Sequence, residues 1–186
     1  MSASDSYQIV SIRLPGAARP WIDSWVEKSG LAFPEFCGSA LTLGARIQLI
    51  SLEPVLTLAA PLRKKAVKTA QNSVTPGLLV RLIAGEELDA SAVGVNDWED
   101  CVEVRISKKA ISQLIDLAEK LHFDREKLVA YAFATGIQVL AGSLESGSAI
   151  PLDVLLQAVE REISPSELMQ AWIKQKLKEK PDPPRV

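Results

Sequence analysis

Positions 10–53 read VSIRLPGAARPWIDSWVEKSGLAFPEFCGSALTLGARIQLISLE, and positions 102–145 read VEVRISKKAISQLIDLAEKLHFDREKLVAYAFATGIQVLAGSLE. Laid over each other at an offset of 92 without a gap, they share 10 identical residues in 44, where chance would give roughly three. The chain is an internal duplication. Each copy carries the pattern of a short strand and two helices, too small a unit to bury its own apolar face. Each therefore needs a partner surface, and the other copy is the most economical one.

Residues 7–14 alternate, with Val10, Ile12 and Leu14 on one face and Ile9, Ser11 and Arg13 on the other. Residues 101–106 repeat the pattern, with Val102, Val104 and Ile106 inward and Cys101, Glu103 and Arg105 outward. Alternation of period two predicts a half-buried strand in each copy. A lone strand leaves its backbone donors and acceptors unpaired, so each requires a second strand from elsewhere in the chain or from another molecule.

Ile111, Leu114, Ile115, Ala118 and Leu121 then recur at helical spacing with charged residues around them, which predicts an amphipathic helix of about 14 residues. Ala18, Ile22, Trp25 and Val26 form the matching stripe in the first copy, with Pro20 early, where a first turn tolerates it. These helices are expected to end at Ser29-Gly30 and Leu121-His122, where Gly, or less readily His, supplies a left-handed residue. A second helix opens at Pro34 in one copy and behind Asp124, a good N-cap, in the other. It is more apolar (Leu128, Val129, Ala132, Phe133, Gly136, Ile137 and Leu140 in one copy, Phe36, Cys37, Ala40, Leu41, Gly44 and Ile47 in the other) and should be mostly buried. Gly44 and Gly136 sit at equivalent mid-helix positions, each at a cost of about 1 kcal/mol relative to Ala. The close approach of another helix would justify both.

Beyond these blocks, 61–83 corresponds to 151–172 after a short shift, and Thr75-Pro76 and Ser164-Pro165 are helix starts with a hydroxyl N-cap, Glu167 supporting the second. Each copy is thus expected to end in an extra helical hairpin. Residues 55–58 could form a further strand, and 146–149 read as a loop. The expected organisation is a disordered start (1–8), a first repeat (9–88), an acidic linker (89–100), a second repeat (101–178) and a disordered tail (179–186). The fold class is mainly α with short β-strands.

With 47% apolar and 24% charged residues in 186, the composition is that of an ordinary globular protein. No stretch reaches the roughly 18 uninterrupted apolar residues of a bilayer span, and no basic-then-apolar leader opens the chain, so a cytoplasmic protein without membrane contact is expected. Two cysteines, Cys37 and Cys101, on apolar segments and one histidine offer neither a disulfide framework nor a metal site, and both thiols are expected to be buried and reduced. No Gly-rich phosphate loop, GxSxG or metal-ligand spacing is present, so no catalytic residue, metal or cofactor is expected and the chain reads as a non-enzyme. The net charge is only -2, yet between Pro54 and Gly85 stand Arg63, Lys64, Lys65, Lys68 and Arg81 with no acid, followed by an acid-only run from Glu86 to Glu103. The basic run reads either as a solvated helix face or as a contact for phosphates. His122 reads as a turn residue, and Trp21, Trp25, Trp98 and Trp172 as core or pairing-surface aromatics.

A strand ending in Ile-Arg-Leu-Pro or Val-Arg-Ile-Ser, an amphipathic helix, a Gly or His turn and a buried second helix together resemble the ribbon-helix-helix family of bacterial DNA-binding proteins, over residues 9–50 and 101–142. The resemblance implies two such units in one chain forming an intramolecular pseudo-dimer. In that family the paired strands enter the major groove and their outward side chains read base edges. It implies DNA-facing roles for Ile9, Ser11, Arg13, Cys101, Glu103 and Arg105, where Arg can grip guanine and Glu103 would have to accept from a cytosine amine. It also implies phosphate anchoring at the start of the second helix, at 32–34 and at Asp124-Arg125-Glu126 with Lys127 nearby, although Pro34 removes a donor and Asp124 adds a repelling charge. Double-stranded DNA is the expected partner, and a transcriptional regulator, antitoxin-like repressor or plasmid maintenance or transfer factor acting at the nucleoid is the implied role. A module kept for protein-protein assembly or self-association, without DNA binding, is the alternative.

Overall fold

The computed structural model describes residues 7–85, 100–145 and 150–161 and the single positions 170 and 174. In chain order it runs β1 (Tyr7–Leu14), a 3-10 turn (Gly16–Ala18), α1 (Arg19–Ser29), α2 (Phe33–Leu52), a second 3-10 turn (Glu53–Thr57), α3 (Ala60–Ser73), α4 (Pro76–Ala84), β2 (Asp100–Ser107), α5 (Lys108–Leu121), α6 (Arg125–Leu144) and α7 (Leu152–Glu160). The described residues are mainly helical, with one two-stranded antiparallel sheet.

The two strands answer each other's backbone requirement: β1 pairs with β2 from Tyr7↔Ser107 to Leu14↔Asp100. The middle of the register is Ser11↔Glu103, two positions related by the offset of 92, so an approximate two-fold axis passes through that pair. Ile12, Leu14, Val102, Val104 and Ile106 are buried on the inner face. That face lies on the second helices in exchange, β2 on α2 and β1 on α6, so each strand rests on the other copy's helix.

Both α1 and α5 stop where the chain turns left-handed, at Gly30 (φ 70°) and at His122 (φ 54°). Gly bears this conformation without steric cost, and His is one of the few side chains enriched there. The next helix, α6, is capped by Asp124, whose carboxylate accepts from Lys127 N at 3.1 Å. No such bond caps α2, which begins behind Ala32 with Pro34 in its first turn.

The axis of the fold is the contact of α2 with α6, the most extensive between any two elements. A Cβ added at Gly44 would collide with the carbonyl oxygen of Ala132 and stand 2.6 Å from its carbon. One added at Gly136 would collide with the carbonyl of Ala40, again 2.6 Å from the carbon. Ala40 and Ala132 are themselves offset partners, so the crossing is reciprocal and the helices meet backbone to backbone. Phe36, Leu41, Phe133 and Ile137 fill the space on either side, each fully buried. By length and composition α6 could cross a membrane, and its place under α2 and α4 accounts for that apolar character.

Around this axis the symmetry is broken. Gln48 is buried in α2 and donates from Nε2 to Thr135 Oγ1 of α6 at 3.2 Å, while Thr135 donates to Tyr131 O at 2.8 Å. The offset partners of this polar pair are Leu140 and Leu43, both buried. The outer helices are tied down through their C-terminal carbonyls, which lack partners within the helix. Trp25 Nε1 donates to Ile83 O of α4 at 2.7 Å, and Arg46 Nη1 to Ala158 O of α7 at 2.9 Å.

Several expectations need correction. Residues 55–58 are no strand: the 3-10 turn Glu53–Thr57 holds Val55 to Thr57, opened by Pro54 and closed by Leu58 N donating to Val55 O. Tyr7 and Gln8, counted both in the strand 7–14 and in the start 1–8, belong to the strand, where they pair with Ser107 and Ile106, and Asp100, assigned to the linker, belongs to β2. Cys101 is exposed while Cys37 is buried, since strand alternation turns Cys101 outward next to buried Val102. The hairpin expected at the end of the second copy is described only through α7. Residues 1–6, 86–99 with Trp98, 146–149, and Ser164, Pro165, Glu167, Trp172 and the tail at 179–186 lie outside the described residues.

Candidate functional site

Because side chains alternate across a strand, the register fixes which residues share the outer face of the ribbon. Four cross-strand pairs stand there: Tyr7 with Ser107, Ile9 with Arg105, Ser11 with Glu103, and Arg13 with Cys101. Ile9 is 70% exposed, and Ser11, Arg13, Cys101, Glu103 and Arg105 are exposed with it. The sequence-derived strand residues are therefore brought together on one solvent-facing surface.

The two-fold axis through Ser11 and Glu103 sets Arg13 and Arg105 at diagonally opposite corners. Four residues of strand separate them, or about 14 Å at roughly 3.4 Å per residue. Each has a neighbour. Arg105 places its guanidinium 4.9 Å from the centre of the Tyr7 ring, and Arg13 Nη1 lies 3.8 Å from Glu126 Oε2 with both side chains largely exposed. An exposed pair of that kind is worth about 1 kcal/mol or less, so Arg13 can exchange Glu126 for another acceptor.

Flanking the ribbon is the start of α6, where Arg125 is exposed and Lys127 half-buried, and where the Asp124 carboxylate is turned to the Lys127 amide. The start of α2 differs: Pro34 offers no N–H, the amides of Glu35 and Phe36 both donate to Ala32 O at 3.0 Å, and Arg19 stacks over Phe33 at 4.6 Å. The two helix starts are thus unequal as anion sites.

Four residues of the basic run stand on α3, and the fifth, Arg81, on α4. Arg63 is half-buried and donates from Nη1 to Leu56 O at 3.2 Å, while Lys64, Lys65 and Lys68 are exposed. Arg63, Lys64 and Lys68, but not Lys65, line a groove of about 680 Å³ against the turn between α5 and α6, with Gln71, Asn72 and His122. Sequence reasoning missed this assembly. It treated His122 only as a turn residue, and no local pattern signals that a helix of one copy lies beside the turn of the other.

Burial pushes the Cys37 thiol up to about 12, and the opposing pull of Arg19 is the smaller effect. It is a core residue. Among the described residues no group of His, Cys, Asp and Glu is arranged to hold a metal ion. No protein-family model, curated protein or solved structure matches the chain.

Proposed function

We propose that the protein binds double-stranded DNA, laying the β1–β2 ribbon in the major groove as an intramolecular pseudo-dimer of two ribbon-helix-helix-like units. The observation that carries this reading is the register, which presents two arginines symmetrically about a polar centre on an exposed two-stranded surface. A two-stranded ribbon fits the major groove, and Arg can donate two hydrogen bonds to guanine O6 and N7. Their separation of about 14 Å corresponds to roughly four base-pair steps of 3.4 Å. At the centre Ser11 faces Glu103. Glu accepts from a cytosine amine whereas Ser is permissive, so the preferred site is not a palindrome. Arg125 and the basic face of α3 with Arg63, Lys64, Lys65 and Lys68 serve the phosphates. The role is that of a cytoplasmic, nucleoid-bound transcriptional regulator, antitoxin-like repressor or plasmid maintenance or transfer factor, with no catalytic activity of its own.

A second reading, an assembly module without DNA binding, is favoured by the neighbours the two arginines already have, by the exposure of Tyr7 (47%) and Ile9 (70%), and by an acidic pI near 5.6. Binding to genomic fragments over a range of salt separates the two. DNA reading requires affinity that falls steeply with salt, and a loss of about 1–3 kcal/mol of discrimination for each of Arg13→Ala and Arg105→Ala. No binding to any fragment at low salt would overturn it in favour of assembly.

A further inference from the structure

We infer that the groove between α3 and the α5–α6 turn holds the phosphodiester backbone of DNA on one side of the ribbon only, so that the protein covers its site lopsidedly. This rests on the DNA reading above and adds a surface and an orientation to it. The groove is the largest of the cavities described, at about 680 Å³, and no acidic residue lines it. Its polar lining consists of Arg63, Lys64, Lys68, Gln71, Asn72 and His122, over a floor that includes Val67 and Leu121. Cations and neutral donors without a competing carboxylate suit a polyanion rather than a single small anion. Lys64 and Lys68 stand one helical turn apart, about 6 Å along α3, and so present charge along a line rather than at a point.

Two contacts lead from the groove to the ribbon. Gln71 Oε1, at the C-terminal end of α3, accepts from the backbone N–H of Asp124 at 3.3 Å, and two residues further Glu126 meets Arg13 at 3.8 Å. Two acids stand on this route, Asp124 capping α6 and Glu126 beside Arg13, and both keep their charge when Arg13 turns to a base, so the attraction along the path comes from α3. A backbone leaving the Arg13 corner of the ribbon therefore passes the start of α6 and meets α3. Among the described residues the other half shows no such basic run: α7, which follows α3 at the offset of 92 in sequence, carries Asp153 and Glu160 and neither Lys nor Arg within Leu152–Glu160, with Arg161 directly after it. Among the described residues the two copies thus differ in charge at this point of the sequence, α3 being basic and α7 acidic.

The test is a hydroxyl-radical footprint of the full chain on a duplex selected by it from a random pool, for the wild type and for Lys64→Ala with Lys68→Ala. Both lysines are exposed, so circular dichroism should show an unaltered fold. The wild type should protect one flank further than the other, and the double variant should lose that extra protection alone. The slope of log affinity against log salt should fall in magnitude by about 1.8, at about 0.9 for each phosphate no longer neutralised. A symmetric wild-type footprint, or a variant with unchanged footprint and slope, overturns the inference and leaves the ribbon reading intact if Arg13→Ala with Arg105→Ala still abolishes selectivity. A wild type that selects no duplex overturns both.

Discussion

Replacing Gly136 with Ala adds one methyl group to the most crowded point of the molecule. The new Cβ would overlap the Ala40 carbonyl oxygen, with the carbonyl carbon at 2.6 Å and the Cα at 3.1 Å. Ordinary contact for such atoms begins near 3.4 Å, and the oxygen is the nearest of them, so α2 and α6 must part by about 1.6 Å. The obstacle is backbone, which cannot rotate aside as a side-chain end would. Even a gap of about 1 Å forfeits up to half of the dispersion energy of the atoms that line it, and overpacking of a well-filled core costs about 1–3 kcal/mol, sometimes more. Against this, Ala gains about 1 kcal/mol over Gly in a helix interior. Since the obstacle is rigid, the cost stands at the upper end, about 3 kcal/mol, and the net expectation is a loss of about 2 kcal/mol, a fall in Tm of about 4–8 °C for a chain of this length. Gly142 supplies the control in the same helix, since a Cβ there meets nothing within 4 Å; Gly142→Ala should stabilise by about 0.5–1 kcal/mol. Because helices already parted for one methyl accommodate its symmetric partner, Gly44→Ala with Gly136→Ala should cost less than the sum of the two. Urea unfolding followed by far-ultraviolet circular dichroism reads all four. Gly136→Ala as stable as Gly142→Ala would refute the backbone-to-backbone crossing.

The Cys37 thiol, held up to about 12 by burial against an ordinary 9.0, keeps its proton in the folded state while the unfolded chain loses it. Stability from this group is whole below pH 9 and drains between 9 and 12, by about 1.4 kcal/mol at pH 10; urea midpoints at pH 8 and 10 should show this extra loss in the wild type and not in Cys37→Ala. Asp124→Asn retains a good N-cap while removing a charge beside the proposed phosphate path. Thermal unfolding should move by less than about 1 kcal/mol, and DNA affinity at low salt should rise about twofold, from ~0.5 kcal/mol of repulsion at ~8 Å in water; unchanged affinity would remove the start of α6 from the DNA interface. Trp25→Phe strips the donor from Ile83 O, and leaving that buried acceptor unmet should cost about 1–3 kcal/mol in urea unfolding. A cost under about 0.5 kcal/mol, the lower end for a hydrogen bond, would show that α4 is held by packing alone.

What the residues declared in advance was local or periodic. The alternation of Val10, Ile12 and Leu14, the helix of 14 residues from Lys108 to Leu121, and the turns at Gly30 and His122 are set by interactions within a few positions. Gly44 and Gly136 were legible for a different reason: a costly residue repeated at the same place in both copies needs a cause, and the Ala40 and Ala132 carbonyls supply it. The short apolar run at 55–58 suits a strand and a 3-10 turn equally well, and Pro54 with the absence of a pairing edge settled it. Cys101 was misjudged by treating cysteine as a core residue, although its own parity in the strand turned it outward. The ties of Trp25 to Ile83 and of Arg46 to Ala158, and the groove uniting α3 with His122, join residues far apart in sequence, so no window along the chain contains both partners. Of the candidate site, the ribbon face was readable from strand parity, whereas the inequality of its two flanks was not.

The pairing of β1 with β2 inside one chain also changes the molecularity of the surface they form. A ribbon shared by two separate chains exists only above the dissociation constant of its dimer, so dilution destroys fold and function together. Here the same surface assembles in a first-order step. Its midpoint of unfolding should not shift with protein concentration, and a handful of copies per cell present as complete a ribbon as a micromolar solution.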